Sequence, residues 1–189
     1  KMINLIKKNS LEFFNANGLP SKKLENWKFT SSKNFKSFNK SSSSIKNQKI
    51  ESDELSIVFV NGVLDKNSLK NFKFSDLLEV KNLDELNDKE LLRCSENFLK
   101  ESMFNLGISE FEHGSYLSFK RNSVIEEVIN IKNYFFENGN NERVSSSFNI
   151  FHINEGSEIS IIEEDIKENH SIFNLKLNKF ICENSTIFK

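Results

Sequence analysis

From Tyr116 to the end of the chain, apolar and polar residues alternate in short runs broken by polar turns, and this two-residue period commits the second half to β-structure. Tyr116, Leu117 and Phe119 come first, followed by a longer run from Val128 through Ile129, Ile131, Tyr134 and Phe135 to Phe136. Ser147-Phe148-Asn149-Ile150-Phe151-His152-Ile153 then alternates, breaks at Asn154-Glu155-Gly156-Ser157, and resumes as Glu158-Ile159-Ser160-Ile161-Ile162-Glu163. Ile172 to Leu177 and Thr186 to Phe188 repeat the pattern after two further polar breaks. Short strands at regular spacing fit a sandwich, a barrel or a β-solenoid, and spacing alone does not choose among them. The sequence stops at Lys189, within or just after a new strand. An open solenoid coil would leave edge groups and apolar faces uncovered. The reading therefore expects the front portion of a longer protein.

The first half carries mixed signals. Ile3, Ile6, Phe13 and Phe14 recur near a 3.6-residue period and predict an amphipathic helix over residues 2–15, stopped by Gly18. Leu19 to Thr30 holds the only Pro and the only Trp of the chain. There Trp27 and Phe29 form an aromatic anchor among lysines, and Trp27 is expected to pack the leader onto the rest. Residues between Ser31 and Ser52 are rich in Lys, Ser and Asn and read as a mobile loop with a short helical turn around Phe35. Ser56 to Val60 is β-branched and aromatic. It meets Asn61-Gly62 and leaves through Val63-Leu64, the strongest short hairpin signal because both turn residues tolerate positive φ. Asn87 with Glu90 spells a capping box. Leu91, Phe98, Leu99, Met103 and Leu106 follow at helical spacing, with either Gly107 or His113-Gly114 as the terminator.

Composition narrows the function classes. At 189 residues with 37% hydrophobic and 28% charged, the chain suits one or two small domains. No apolar run approaches the roughly 20 residues that span a bilayer, and the first residues lack the apolar stretch and cleavage site of a secretory signal. A cytoplasmic location is expected. Cys94 and Cys182 have no metal-ligand spacing and read as reduced thiols. Residues 1–50 hold 11 Lys and two Glu, whereas residues 51–189 hold 15 Lys or Arg and 25 Asp or Glu. A basic leader could meet nucleic acid or an acidic partner. The leader has no Arg and no nucleic-acid motif, which favours a solvated basic face over a nucleic-acid-binding module.

Four stretches, in order, resemble the SufB/SufD family of iron–sulfur cluster assembly proteins. They are Leu19 to Thr30, the hairpin Ile57-Val58-Phe59-Val60-Asn61-Gly62, the segment Phe111-Glu112-His113-Gly114 with Tyr116 to Phe119, and Ile153 to Glu163. The likeness runs from about Leu19 to Lys189. It departs at Val128-Ile129 after Glu126-Glu127, where the family commonly has Pro-Ile, and at Gly107. The resemblance implies an α+β chain: a helical or mixed N-terminal region followed by the first coils of a right-handed parallel β-helix. It divides the chain into a helix and basic leader over 1–55, an α+β N-terminal domain over 56–136 and the start of a β-helix core over 137–189. It implies a non-catalytic scaffold of the SUF machinery, partnered by a SufB-type subunit and a SufC-type ATPase. The iron–sulfur cluster would be handled by the parent complex, with no cofactor bound by these residues. A β-solenoid carbohydrate-active enzyme is the rival, and it would need carboxylates lining one face of stacked strands.

The candidate chemistry is sparse. His113 falls at a helix terminus, His152 in a strand and His170 in a turn, and isolated histidines of this kind are more often surface or satisfied core than ligands. Two of these histidines and the distant Cys182 could meet around iron, but the three residues do not recur at equivalent positions of successive turns. Glu126-Glu127 and Glu163-Glu164-Asp165 read as solvated charges at strand ends. No Ser-His-Asp set, phosphate-binding Gly loop or zinc spacing is present, so the sequence assigns no catalytic, cofactor or metal residue.

Overall fold

The computed structural model describes residues 1–29, 50–98, 100–136, 144–167 and 173–189. The loop expected from Ser31 to Ser52, with its turn at Phe35, falls almost wholly outside them, as does His170.

Helix α1, Met2–Asn17, forms on the expected period and ends at Gly18. Its Met2, Ile3 and Ile6 pack into an apolar cluster with Leu91, Ile108 and Phe111. Strand β1, Ser56–Val60, turns through Asn61 and Gly62 at φ 48° and 82° into β2, Val63–Leu64. Those two positive angles are what a tight hairpin whose twist matches its strands requires. Helix α2, Lys66–Asn71, is capped by the Asp65 carboxylate, which accepts from the backbone N–H groups of Asn67 and Ser68. Strand β3 spans Leu78–Asn82.

The single helical stretch expected after Asn87 is two helices. Helix α3, Asp88–Ser95, opens with the expected capping box between Asn87 and Glu90. It ends before Asn97, whose φ of 59° turns the chain out of the helix. Helix α4 then runs Ser102–Glu110. Gly107 terminates nothing: it lies inside α4, where an added Cβ would sit 2.7 Å from Leu177 Cδ1. The missing side chain is what lets α4 lie against the second sheet.

The remaining strands are β4, His113–Phe119; β5, Val124–Phe135; β6, Val144–Ile153; β7, Glu158–Lys167; β8, Phe173–Cys182; and β9, Ile187–Phe188. They build two sheets, ordered β2-β1-β5-β7-β9 and β3-β4-β6-β8. From β4 onward, successive strands alternate between the sheets, and each pairs in parallel with the strand two places on. Both sheets begin with an antiparallel pair, β1 with β2 and β3 with β4.

This corrects the expectation of a right-handed parallel β-helix. The fold is α+β with two mixed sheets, and the upstream strands β1, β2 and β3 are integral members of them. Short alternating runs report that a segment is a strand with one buried face, but carry no information on which strand it will pair with. The regular spacing was compatible with a coil for that reason, while the antiparallel partners came from segments upstream.

Apolar layers cover both faces of the second sheet. Ile57, Phe59, Ile129, Ile131 and Ile159 of the first sheet meet Leu117, Phe119, Phe151 and Ile153 of the second. On the far side of the second sheet, Phe148 and Ile150 pack under the helices with Leu91, Cys94, Ile108 and Phe111.

Candidate functional site

Alternation places Tyr116 of β4 and His152 of β6 on the helix-covered face of the second sheet. Tyr116 Oη lies 2.5 Å from His152 Nδ1, and His152 Nε2 lies 2.7 Å from Glu183 Oε1, just beyond β8. The Arg93 guanidinium of α3 donates to the same Glu183 oxygen. A carboxylate only accepts, so the proton of the imidazole sits on Nε2 and points at Glu183. Nδ1 is then the acceptor for the Tyr116 hydroxyl. Beside this chain of bonds, Lys179 Nζ donates to the backbone oxygens of Cys94, at 2.9 Å, and Glu96. Together these contacts tie α3 to three strands.

His152 is 6% exposed. Burial holds its imidazole below the ordinary pKa, and the positive charge of Arg93 pushes the same way. Burial raises Tyr116 above the usual phenol range, so its oxygen stays protonated and acts as a hydrogen-bond donor rather than as a nucleophile at neutral pH. Burial likewise raises the Cys94 thiol, which leaves it protonated and inert. The lowered imidazole has a signed consequence for stability. Above about pH 6.5 both native and unfolded His152 are neutral; below it the unfolded chain takes up a proton that the native site resists. Stability is expected to fall as pH drops from about 6.5 through the native pKa, and His152→Gln should remove that part of the slope. Urea unfolding of parent and variant between pH 5 and 8 checks this; parallel profiles would be the contrary result.

A second polar cluster lies between the sheets, at the end away from Ile153. Asn149 and Asn133, 1% and 3% exposed, point inward. Asn149 Nδ2 donates to Asn178 Oδ1 at 3.3 Å, and Asn178 Nδ2 donates across the gap to Glu163 Oε1 at 2.7 Å. Asn133 donates to the same Glu163 oxygen at 2.9 Å. Lys176 completes the layer, 2.8 Å from Glu163 and 2.5 Å from Asp165. One end of the sandwich is thus apolar and the other a hydrogen-bonded polar layer.

No family model matches the chain, and no curated protein matches it.

The structure separates the residues singled out from sequence. His113 is exposed at the start of β4, on the wall of a cleft of about 540 Å³ beside Lys7, Lys66 and Glu112. It is in register with Ser147, five residues along the strand from His152. Cys182 is exposed and in register with Ile153, so it faces the opposite side of the sheet from His152. The three-residue grouping around iron is therefore not assembled by His113, His152 and Cys182. Among the described residues no group of three His, Cys, Asp or Glu is placed to hold a metal ion, and no described helix is long and apolar enough to cross a membrane. Glu127 pairs with Lys73, whose ammonium holds the carboxyl below its usual range. Glu163 and Asp165, read as solvated charges, are exposed, and they pair with Lys176 at the open end of the inter-sheet polar layer. Trp27 is half-buried and lines a cleft of about 620 Å³ with Phe13, Leu19 and Leu24. Sequence reasoning missed Tyr116, Arg93 and Glu183, whose bonds to His152 and to each other span long separations without a spacing signature. It also missed the inward asparagines, for which a signal existed: Asn149 shares strand parity with Phe151 and Ile153.

Proposed function

We propose that the chain acts as a non-catalytic scaffold, a SufD-type subunit of the SUF iron–sulfur assembly complex, working with a SufB-type partner and a SufC-type ATPase. The cluster is cargo of the assembled complex, and no residue here is assigned to it. The observation that carries the reading is where the four family-like stretches lie. Leu19 to Trp27 lines the junction of α1 and α4. Ile57 to Gly62 makes β1 and the hairpin turn at the border of the first sheet. Phe111 to Phe119 carries the chain from α4 into β4, and Ile153 to Glu163 carries it from the second sheet into the first. The most distinctively spelled segments are joints of a framework. Tyr116, His152, Glu183 and Arg93 satisfy one another, which also suits a structural role.

Co-expression of the full-length protein with SufB-type and SufC-type partners tests the proposal. A stable complex retained through affinity and size-exclusion steps is expected. Failure of the three to co-purify, with the protein itself folded, would remove the assignment.

A further inference from the structure

We infer that the polar layer between the sheets is a register latch, which selects one alignment of β6 on β8 and one seating of the second sheet on the first. The inference is independent of the scaffold proposal.

The argument begins with what the apolar pattern leaves undecided. A one-residue slip of a strand turns its buried face outward and is forbidden by burial, whereas a two-residue slip keeps every side chain on its own face. Inward positions of β6 read Ser147, Asn149, Phe151, Ile153, and those of β8 read Lys176, Asn178, Phe180, Cys182. In the observed register Asn149 faces Asn178 and Phe151 faces Phe180, whose rings stack at 5.0 Å. Displaced by two residues one way, Asn149 would face Phe180 and Phe151 would face Cys182. Displaced the other way, Asn149 would face Lys176 and Phe151 would face Asn178. Either slip strands the amide of a residue that is 1% exposed, and unpaired buried polar groups are costly.

The outward positions add a constraint of their own. There Phe148 faces Leu177, Ile150 faces the lysine stem of Lys179 and His152 faces Ile181, so apolar partners remain at either offset, but a slide of β8 would also carry Glu183 away from His152 and Lys179 away from the carbonyls of Cys94 and Glu96. The inward face is where a slip leaves a buried amide without its partner. The latch also reaches across the gap, because Asn178 and Lys176 of the second sheet both bond Glu163 of the first, which in turn holds Asn133 of β5. Sliding β8 would break its bonds to both neighbours at once. Buried polar pairs of this kind fix alignment better than they add stability, since a well-packed apolar replacement is often neutral.

The test is the double variant Asn149→Leu with Asn178→Leu, in the full chain. The expected result is an unfolding midpoint no lower than the parent's, together with loss of a single native state. That loss appears as doubled or broadened backbone amide resonances from β6 and β8 in a proton–nitrogen correlation spectrum. A variant with one sharp set of resonances and the parental pattern of strand-to-strand contacts would overturn the inference. So would a variant that is simply unfolded, because the pair would then act through stability rather than alignment. Asn149→Leu alone is the control. Leaving Asn178 without its inner partner, it should be less stable than the double variant, and the opposite order would also count against the latch.

Discussion

Replacing Phe151 by Ala should lower the free energy of unfolding by about 3–5 kcal/mol, enough to leave a domain of ordinary stability close to unfolded. Phe151 is fully buried at the centre of the layer between the sheets, in a cluster with Phe119, Ile153 and Ile131, and its ring stacks on Phe180. Its loss leaves a cavity walled by β-strands from both sheets. Backbones held in two hydrogen-bonded ladders cannot collapse into such a void as a loop could, which places the cost toward the upper end of the range. Ile162→Ala, on a residue 59% exposed in β7, should change stability by less than about 0.5 kcal/mol. Chemical denaturation of the two variants against the parent measures the contrast. A Phe151→Ala cost comparable to that of Ile162→Ala would mean that the inter-sheet layer is not packed as described.

The second large effect is expected from Asn149→Asp, which changes almost no volume. At neutral pH the new carboxylate would be buried opposite Asn178 Oδ1, an acceptor, with Glu163 one bond further on. The Ser115 N–H, which donates to Asn149 Oδ1 at 3.3 Å, would still serve one carboxylate oxygen, but a buried charge without a counter-ion costs about 3 kcal/mol, and the variant relieves that cost by keeping its proton. The direction with pH follows. Burial raises the native pKa of the new carboxyl above the unfolded value near 3.9, so the variant stays close to the parent below about pH 4. Above that point the unfolded chain ionises first, and the difference from the parent grows by about 1.4 kcal/mol per pH unit until the native pKa is reached. Thermal or urea unfolding of both proteins from pH 3.5 to 7.5 reads the difference directly. A gap independent of pH would show that the site is hydrated rather than buried.

Much of the local structure is legible in the sequence. The Asn61-Gly62 turn, the Asn87–Glu90 capping box and the strand periods after Tyr116 rest on interactions within a few residues, where sequence is informative. The break between α3 and α4 was not. It depends on Asn97 taking a positive φ, which an asparagine tolerates without announcing, while Leu91, Phe98 and Met103 kept the helical spacing across it. Sheet order was illegible for a different reason: β1 pairs with β5 rather than with any near neighbour beyond its own hairpin. The β-helix that the resemblance implied is replaced by two mixed sheets, with β1, β2 and β3 among their strands. At the candidate sites, His152 was seen and its surroundings were not. Tyr116 is 36 residues away and Glu183 is 31, and no local pattern links them.

Alternation of strands between the sheets has a kinetic consequence. Four of the five parallel pairings join segments about thirty residues apart, 29 for Asn149 with Asn178 and 34 for Ser115 with Asn149 among them, and the pairing of β1 with β5 joins segments further apart still. Between any two partners the chain must cross to the opposite layer and return, so neither sheet can be completed before the other is largely in place. The entropy of closing those long loops is therefore spent before most of the contacts that reward it exist, and folding is expected on the order of milliseconds to seconds rather than microseconds. On the ribosome, β4 and β5 would emerge with their downstream parallel partners β6 and β7 still unmade, exposing Leu117, Phe119 and Ile129 until the strands that cover them have been synthesised.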